Sequence, residues 1–498
     1  MNRRRPGALR PRAESVRGNP LHPREAPKRA QSRRKAQPGW GPSGQSLVGK
    51  RLKTLSSLLL GVGLGLTVSI ANAVPAFTRQ SGQNCIACHV SFPELTPYGR
   101  WFKLSGYTIG SRQAIPLAMM AQFGRTTIKN NDDGSGAPVT ARNGQIALSG
   151  ASLFVAGKAT DNIGGFVQWT YSQNYNTDGT SVGHSGIDIA DLRWIGRMGS
   201  ADANDVKLLY GLTVHNSPTA QDVWNSTPAF GFPYTESPTA VRPTAGTQIE
   251  GALAQQVAGI GVYGFYEKTW YGELTAYRTA DGAFSILRAG QDSGTPGGVA
   301  RLDGYNPYLR FAYNKEWGAN SLMLGVFGLR VARYVDNTDV TRGTDRFTDR
   351  GVDAQYQYIT NPHTFTAQAS YLKERQDHRS SFAQGLTSNA LDDLSSFKLK
   401  ASYYYDRRYS ITLSHFSLKG TADALLYPAG AVTGSANGSP DSRGNLLELD
   451  YMPVQNVRLM LQYTVYSKFN GGGMGYDGVT ARSPRDNNTL FFNVWVAY

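Results

Sequence analysis

In the stretch Val457-Arg458-Leu459-Met460-Leu461-Gln462-Tyr463-Thr464-Val465-Tyr466, the set Val457, Leu459, Leu461, Tyr463 and Val465 alternates with Arg458, Met460, Gln462, Thr464 and Tyr466. A period of two puts the sets on opposite faces of a strand, one greasy and one wetter. Phe365, Ala367, Ala369 and Tyr371 stand in the same relation to Thr364, Thr366, Gln368 and Ser370. So do Phe397, Leu399, Ala401 and Tyr403 to Lys398, Lys400, Ser402 and Tyr404. The chain beyond residue 113 is therefore read as all-β.

A soluble sandwich alternates in the same way, so the spacing of the strands has to decide between the two. About sixteen strands can be traced, each roughly ten to fourteen residues, near the length of a tilted strand crossing a bilayer. Short connections fall at Asp161–Ile163, Glu267–Lys268, Thr360–Pro362, Asp406–Arg408 and Pro453–Asn456. Long ones cover about 130–144, 174–187, 217–249, 280–303, 335–347, 374–394, 420–442 and 468–487. Short turns at one end and long loops at the other mark a transmembrane antiparallel β-barrel of the outer membrane. Leu490, Phe492, Val494, Val496 and Tyr498 close the chain as an apolar set at alternate positions ending on an aromatic. With an even strand count, the first strand starts at the periplasmic end where the last one finishes. A barrel of this size is expected to hold an aqueous lumen. Lys398, Lys400, Glu448, Asp450 and Arg458 are expected to face inward and to solvate the pore wall.

The N-terminal part reads differently. Residues 1–49 form a basic, proline-rich extension without apolar periodicity, with Val48 a candidate for the true start. Residues 50–73 read as a signal peptide: Lys50, Arg51 and Lys53, an uncharged apolar run from Leu55 to Ile70, then Ala71-Asn72-Ala73 as a cleavage site. Mature protein is expected to begin at Val74. Thirteen of the fifteen net positive charges lie in residues 1–53, so the basic balance is no argument for nucleic acid.

Cys85-Ile86-Ala87-Cys88-His89 contains both cysteines of the chain. Two thiols at this spacing can form thioethers to one haem, with the adjacent histidine beneath the iron. A structural zinc site wants about four N or S ligands, and only three cluster here. A thioredoxin-type dithiol follows a strand of a βαβ unit, and none precedes Cys85. One c-type haem is the reading, held by Cys85 and Cys88 with His89 as proximal ligand.

Residues 74–112 are too few for an independent core unless something staples them, as haem can. Thr96 reads as a helix N-cap, Pro97 as the first helical residue and Gly106 as the stop. Leu95, Tyr98 and Phe102 share a face suited to a porphyrin edge. The sixth iron ligand stays open: Met119 or Met120 are candidates, as are Lys103, Tyr107 and a vacant position. His184, His215, His363, His378 and His415 are expected at the surface or in the lumen.

The run from Ala76 to His89, with Phe92-Pro93-Glu94-Leu95 and Tyr98 to Thr108, resembles the fused monohaem cytochrome–porins of the outer membrane. The best known of these are cytochromes c of Fe(II)-oxidising bacteria. The resemblance implies a haem segment plugging a barrel over residues 113–498, taking electrons from an extracellular reductant, Fe(II) foremost, and passing them to a periplasmic electron carrier. It would make the protein an iron:cytochrome-type oxidoreductase with no catalytic residues beyond the haem. Asp132, Asp133 and Asp178 are too ordinary as loop acids to count as an iron motif. Two further readings are a porin whose haem segment is a plug or redox gate, and a cytochrome exporting electrons to external acceptors.

Overall fold

The computed structural model describes residues 76–175, 180–199, 206–227, 231–288 and 300–498. The extension over 1–49, the signal peptide over 50–73 and Asp178 lie outside the described residues.

Sixteen antiparallel strands close into one barrel. They follow a small N-terminal segment made of helix α1 (Ala76–Ser81), helix α2 (Cys85–Cys88), a hairpin of β1 (His89–Ser91) and β2 (Glu94–Leu95), and helix α3 (Pro97–Leu104). The wall then runs β3 (Leu117–Ile128), β4 (Ile146–Lys158), β5 (Ile163–Tyr175), β6 (Ser181–Gly199), β7 (Val206–His215), β8 (Val257–Tyr266), β9 (Trp270–Thr279) and β10 (Asn306–Trp317). It continues β11 (Asn320–Tyr334), β12 (Thr344–Ile359), β13 (His363–Asp377), β14 (Leu391–Tyr405), β15 (Tyr409–Gly420), β16 (Ser442–Val454), β17 (Val457–Lys468) and β18 (Thr489–Ala497). Each strand pairs with its sequence neighbours, and β18 returns to β3 with Ala497 opposite Met120. The backbones of Met119 and Tyr498 exchange two hydrogen bonds of 2.6 and 2.7 Å beside that seam.

The side chains are arranged inside out. Leu413, Leu399, Val352, Leu324 and Leu309 stand exposed on the outer face, while Gln357, Thr366, Glu374, Lys400 and Glu448 are buried within. A water-soluble protein would place these sets the other way round. Lipid outside removes the cost of the exposed leucines, and the inward polar groups satisfy one another. Leu490, Phe492, Val496 and Tyr498 of the terminal strand lie exposed on the outer face, as the alternation requires. Tyr266, Trp270, Trp317, Tyr358, Tyr405 and Tyr409 form an exposed aromatic band at the short-turn end.

The connections expected to be long all start and end at one end of the barrel, and the expected short turns at the other. One boundary moves: the expected 174–187 loop shrinks because β6 starts at Ser181 and pairs with β5 as far as Tyr175. Strand lengths reach from nine residues in β18 to nineteen in β6.

The lumen is not the open aqueous space expected. The described parts of the β7–β8 connection, 216–227 and 231–256, enter it and hydrogen-bond to opposite parts of the wall. Trp224 Nε1 donates to Asn314 at 3.4 Å, its carbonyl accepts from Gln355 and Gln368, and Gln221 donates to Glu273. The inward polar side chains therefore find protein partners where a porin wall would offer them water.

The inner charges are corrected accordingly. Lys400, Glu448, Asp450 and Arg458 do face inward, but they are buried in ion pairs and do not solvate a wall. Arg458 holds Glu448 at 2.7 Å and Asp450 at 2.8 Å, and Lys398 meets Glu250 of the inner loop at 3.3 Å.

Candidate functional site

The segment from Ala76 to about residue 112 sits within the barrel end that carries the short turns. Helix α3 starts as the sequence predicts. Thr96 Oγ1 accepts from the Gly99 amide at 3.1 Å, Pro97 occupies the first turn, and Gly106 takes a left-handed φ of 64° just past the end. Thr96 also donates to the Ala87 carbonyl at 2.5 Å, which straps α3 to the Cys85–Cys88 turn. Gly99 is required by close approach, since a Cβ there would overlap the Cys88 carbonyl.

Wall contacts fix the segment in place. Glu94, fully buried, meets Lys400. The Arg100 guanidinium donates to Gln357 and Ser321 at 2.6 Å each and to Gln355 at 3.2 Å. Tyr107 donates to Asp191 at 2.7 Å, and Arg458 to the Phe92 carbonyl at 3.1 Å. Arg407, in the β14–β15 turn, donates to the Ile86 carbonyl.

Between segment and wall lies a cavity of about 480 Å³, inside the roughly 300–1,000 Å³ of small-molecule and cofactor sites. Its apolar lining includes Phe77, Leu95, Phe102, Phe154, Phe166 and Trp495, and Cys85, Cys88 and His89 all border it. Leu95 and Phe102 line it as expected, whereas Tyr98 is not part of the lining. The two thiols are not joined in a disulfide. Burial raises both, Cys88 to about 11, with the neighbouring Cys85 adding to the effect.

His89 is kept in its neutral form. Burial lowers its pKa to about 4, against the opposing pull of the Pro93 carbonyl. Its Nδ1 stands 3.3 Å from that carbonyl, which can only accept, so the ring proton belongs on Nδ1 and the Nε2 lone pair is left for a metal. Phe92 packs on the imidazole at 5.1 Å and on Trp495 of the wall at 6.1 Å.

These features meet the demands of a covalently attached haem: two thiols and an imidazole in one turn, an apolar pocket, and a buried Gln122 Oε1 with no protein partner. Both Met119 and Met120 border the same cavity. Lys103 and Tyr107 are committed elsewhere. The Lys103 ammonium donates to the carbonyls of Ala220 and Asp222 at 2.6 and 3.1 Å, and the Tyr107 hydroxyl to Asp191. His215 is buried in the lumen, His378 is buried in the β13–β14 connection against Asp345, and the contacts of His184, His363 and His415 are exposed. Among the described residues no cluster of three His, Cys, Asp or Glu side chains could hold a metal ion.

The part of the site that sequence reasoning missed is the inner loop. Ala220, Asn225, Pro233 and Tyr234 border the cavity. A second cavity of about 310 Å³, lined by Phe232, Glu236, Arg242, Glu250 and Lys398, shares Pro233 with the first. The only signal in the sequence was the length of the connection.

No protein-family model matches the chain, and no curated protein does. Among solved structures it is similar to OmpF of Salmonella typhi in complex with daunomycin, at 12% identity and a TM-score of 0.43 over 77% of this chain and 97% of that one. It is also similar to a loop-L8 deletion mutant of OmpT, an outer membrane protein of Vibrio cholerae (9%, 0.40, 77% and 98%). A third similarity is to the outer membrane channel DcaP of Acinetobacter baumannii (12%, 0.41, 77% and 96%). The closed barrel described above stands on its own strand register and not on these likenesses.

Proposed function

We propose that this chain is an outer-membrane electron-transfer protein whose N-terminal segment carries one c-type haem inside the barrel. The observation that carries the proposal is the Cys85-to-His89 turn facing an apolar cavity at the short-turn end of an inside-out barrel. Cys85 and Cys88 would hold the haem edge and His89 Nε2 the iron. When bound, the haem supplies one-electron exchange.

The chain's own residues do the rest. Phe77, Phe102 and Trp495 exclude water from the pocket, the Pro93 carbonyl orients the His89 ring, and the Glu94–Lys400 and Arg100 contacts hold the segment against the wall. On this reading the short-turn end lies toward the periplasm, where a soluble carrier would take the electron. The long loops face outward, where the donor resides. Fe(II) is the leading donor, because ferric product precipitates near neutral pH and oxidation at the cell boundary keeps the solid outside.

Two measurements test this. Mass under denaturing conditions shows whether haem is covalently attached, and attachment must vanish when Cys85 and Cys88 are changed to Ala. Anaerobic Fe(II) mixed with oxidised protein should then produce the reduced c-type spectrum in a stopped-flow cell, and His89→Ala should abolish it. A haem that stays ferric with Fe(II) but reduces with dithionite removes iron as the donor. Electron export to external acceptors would show as a haem potential too low to accept from the donor couple.

A second reading, a porin with the haem segment as plug or redox gate, is favoured by the two lumen cavities that both border Pro233. Solute flux into vesicles that changes with His89→Ala, while oxidation of external donors does not, would select it.

A further inference from the structure

We infer that Met120, and not Met119, supplies the sixth ligand to the haem iron, an inference that rests on the haem reading above. The two methionines are adjacent on β3, so they point to opposite faces of the wall. Met119 is 53% exposed, pairs with the exposed Leu153 of β4, and shares its face with Leu117 and Phe123. Although Met119 is among the residues bordering the cavity, this register turns its side chain to the lipid side. Met120 shares its parity with Ala118 and Gln122, both bordering the cavity, and stands opposite the buried Ser152. Across the seam it faces Ala497, which also borders the cavity.

The other donors around the cavity are engaged or unsuited. Lys103 and Tyr107 are held by the inner loop and Asp191. Tyr234 donates to Gln368 at 3.2 Å, and Asp188 accepts from Thr170 and Gln168. Gln122 and Asn225 offer amides, which are weak donors to haem iron. A thioether is a soft ligand well matched to it, and histidine–methionine ligation raises the potential of a c-type haem. Gln122 Nε2 lies 3.8 Å from the Met120 sulfur, a contact that orients the thioether along the wall.

The test uses full-length protein matured in a host that attaches c-type haem and purified in detergent. Wild type, Met119→Leu, Met120→Leu and Met120→His are compared by ferric and ferrous spectra, carbon monoxide binding and midpoint potential. Met120→Leu is expected to lose the sulfur-to-iron charge-transfer band, to bind carbon monoxide readily and to fall in potential. Met119→Leu should match wild type, and Met120→His should keep a six-coordinate iron with an all-nitrogen signature, which shows that position 120 reaches the metal. Unchanged spectra and carbon monoxide behaviour in Met120→Leu overturn the inference, as does loss of the sulfur band in Met119→Leu. A wild-type protein without covalent haem overturns the underlying reading instead.

Discussion

Lys400 of β14 and Glu94 of the β1–β2 hairpin form an ion pair sealed within the barrel, with side-chain exposures of 4% and 0%. The Lys400 ammonium also lies 5.1 Å over the Tyr234 ring and 5.4 Å over Phe232. One wall residue thus grips both the N-terminal segment and the inner loop. Breaking a buried pair from one side leaves an uncompensated charge, so Glu94→Gln should cost about 3–5 kcal/mol of segment docking. Replacing both partners by apolar residues of similar volume should cost much less. Protease susceptibility of the segment in detergent, read against heat-induced unfolding of the barrel, checks the difference.

Gly99→Ala places a methyl group onto the Cys88 carbonyl. Helix α3 would have to shift away from the Cys85–Cys88 turn. The expected outcome is a barrel that still folds but carries a markedly smaller fraction of covalent haem, measured as haem per polypeptide.

Thr96→Ala removes the cap of α3 and the strap to the Ala87 carbonyl together. A loss of about 1–2 kcal/mol in segment stability is expected, with Thr96→Ser recovering most of it. Equal melting of the alanine and serine variants would contradict this role.

Lys103 should give docking of the segment a pH dependence. Burial lowers its pKa to about 8, outweighing the pull of Asp191, Asp222 and Glu273, with Arg193 adding to the lowering. The unfolded segment, with a pKa near 10.5, binds more protons between those values, so stability rises as pH climbs from about 8 to about 10.5. The gain is at most about 3 kcal/mol. Lys103→Met should flatten that rise in a proteolysis series across this window.

Leu413 lies 58% exposed in the middle of β15. In a water-soluble protein, Leu413→Arg would be nearly neutral. With lipid against this face it should destabilise folding into bilayers by about 2–4 kcal/mol near the midplane. Reversible urea titration in vesicles decides between them.

The wall was legible because lipid enforces a period of two along every strand, so Leu459, Leu461 and Tyr463 announced their face without any long-range information. Cys85 to His89 and Thr96-Pro97 were legible because each acts within a few residues. The inner loop was not. Trp224, Gln221 and Asp222 look like ordinary members of a polar connection, and what draws them inward is a set of wall partners, Asn314, Glu273 and Arg310, far away in sequence. For the same reason Lys400 and Arg458 were read as facing water: their carboxylate and loop partners belong to other elements. Ser181 to Gly186 resembled a loop by composition, but pairing with β5 extends the strand through it.

The seam between β18 and β3 also closes the barrel beside the N-terminal segment. Strand β18 pairs with β3, the wall strand that directly follows the N-terminal segment, and Trp495 of β18 packs against Phe92 beside His89. Stitching the final strand into place encloses the segment with whatever it carries. On the proposal that Cys85 and Cys88 hold a haem, its attachment would have to precede closure of the barrel around the segment.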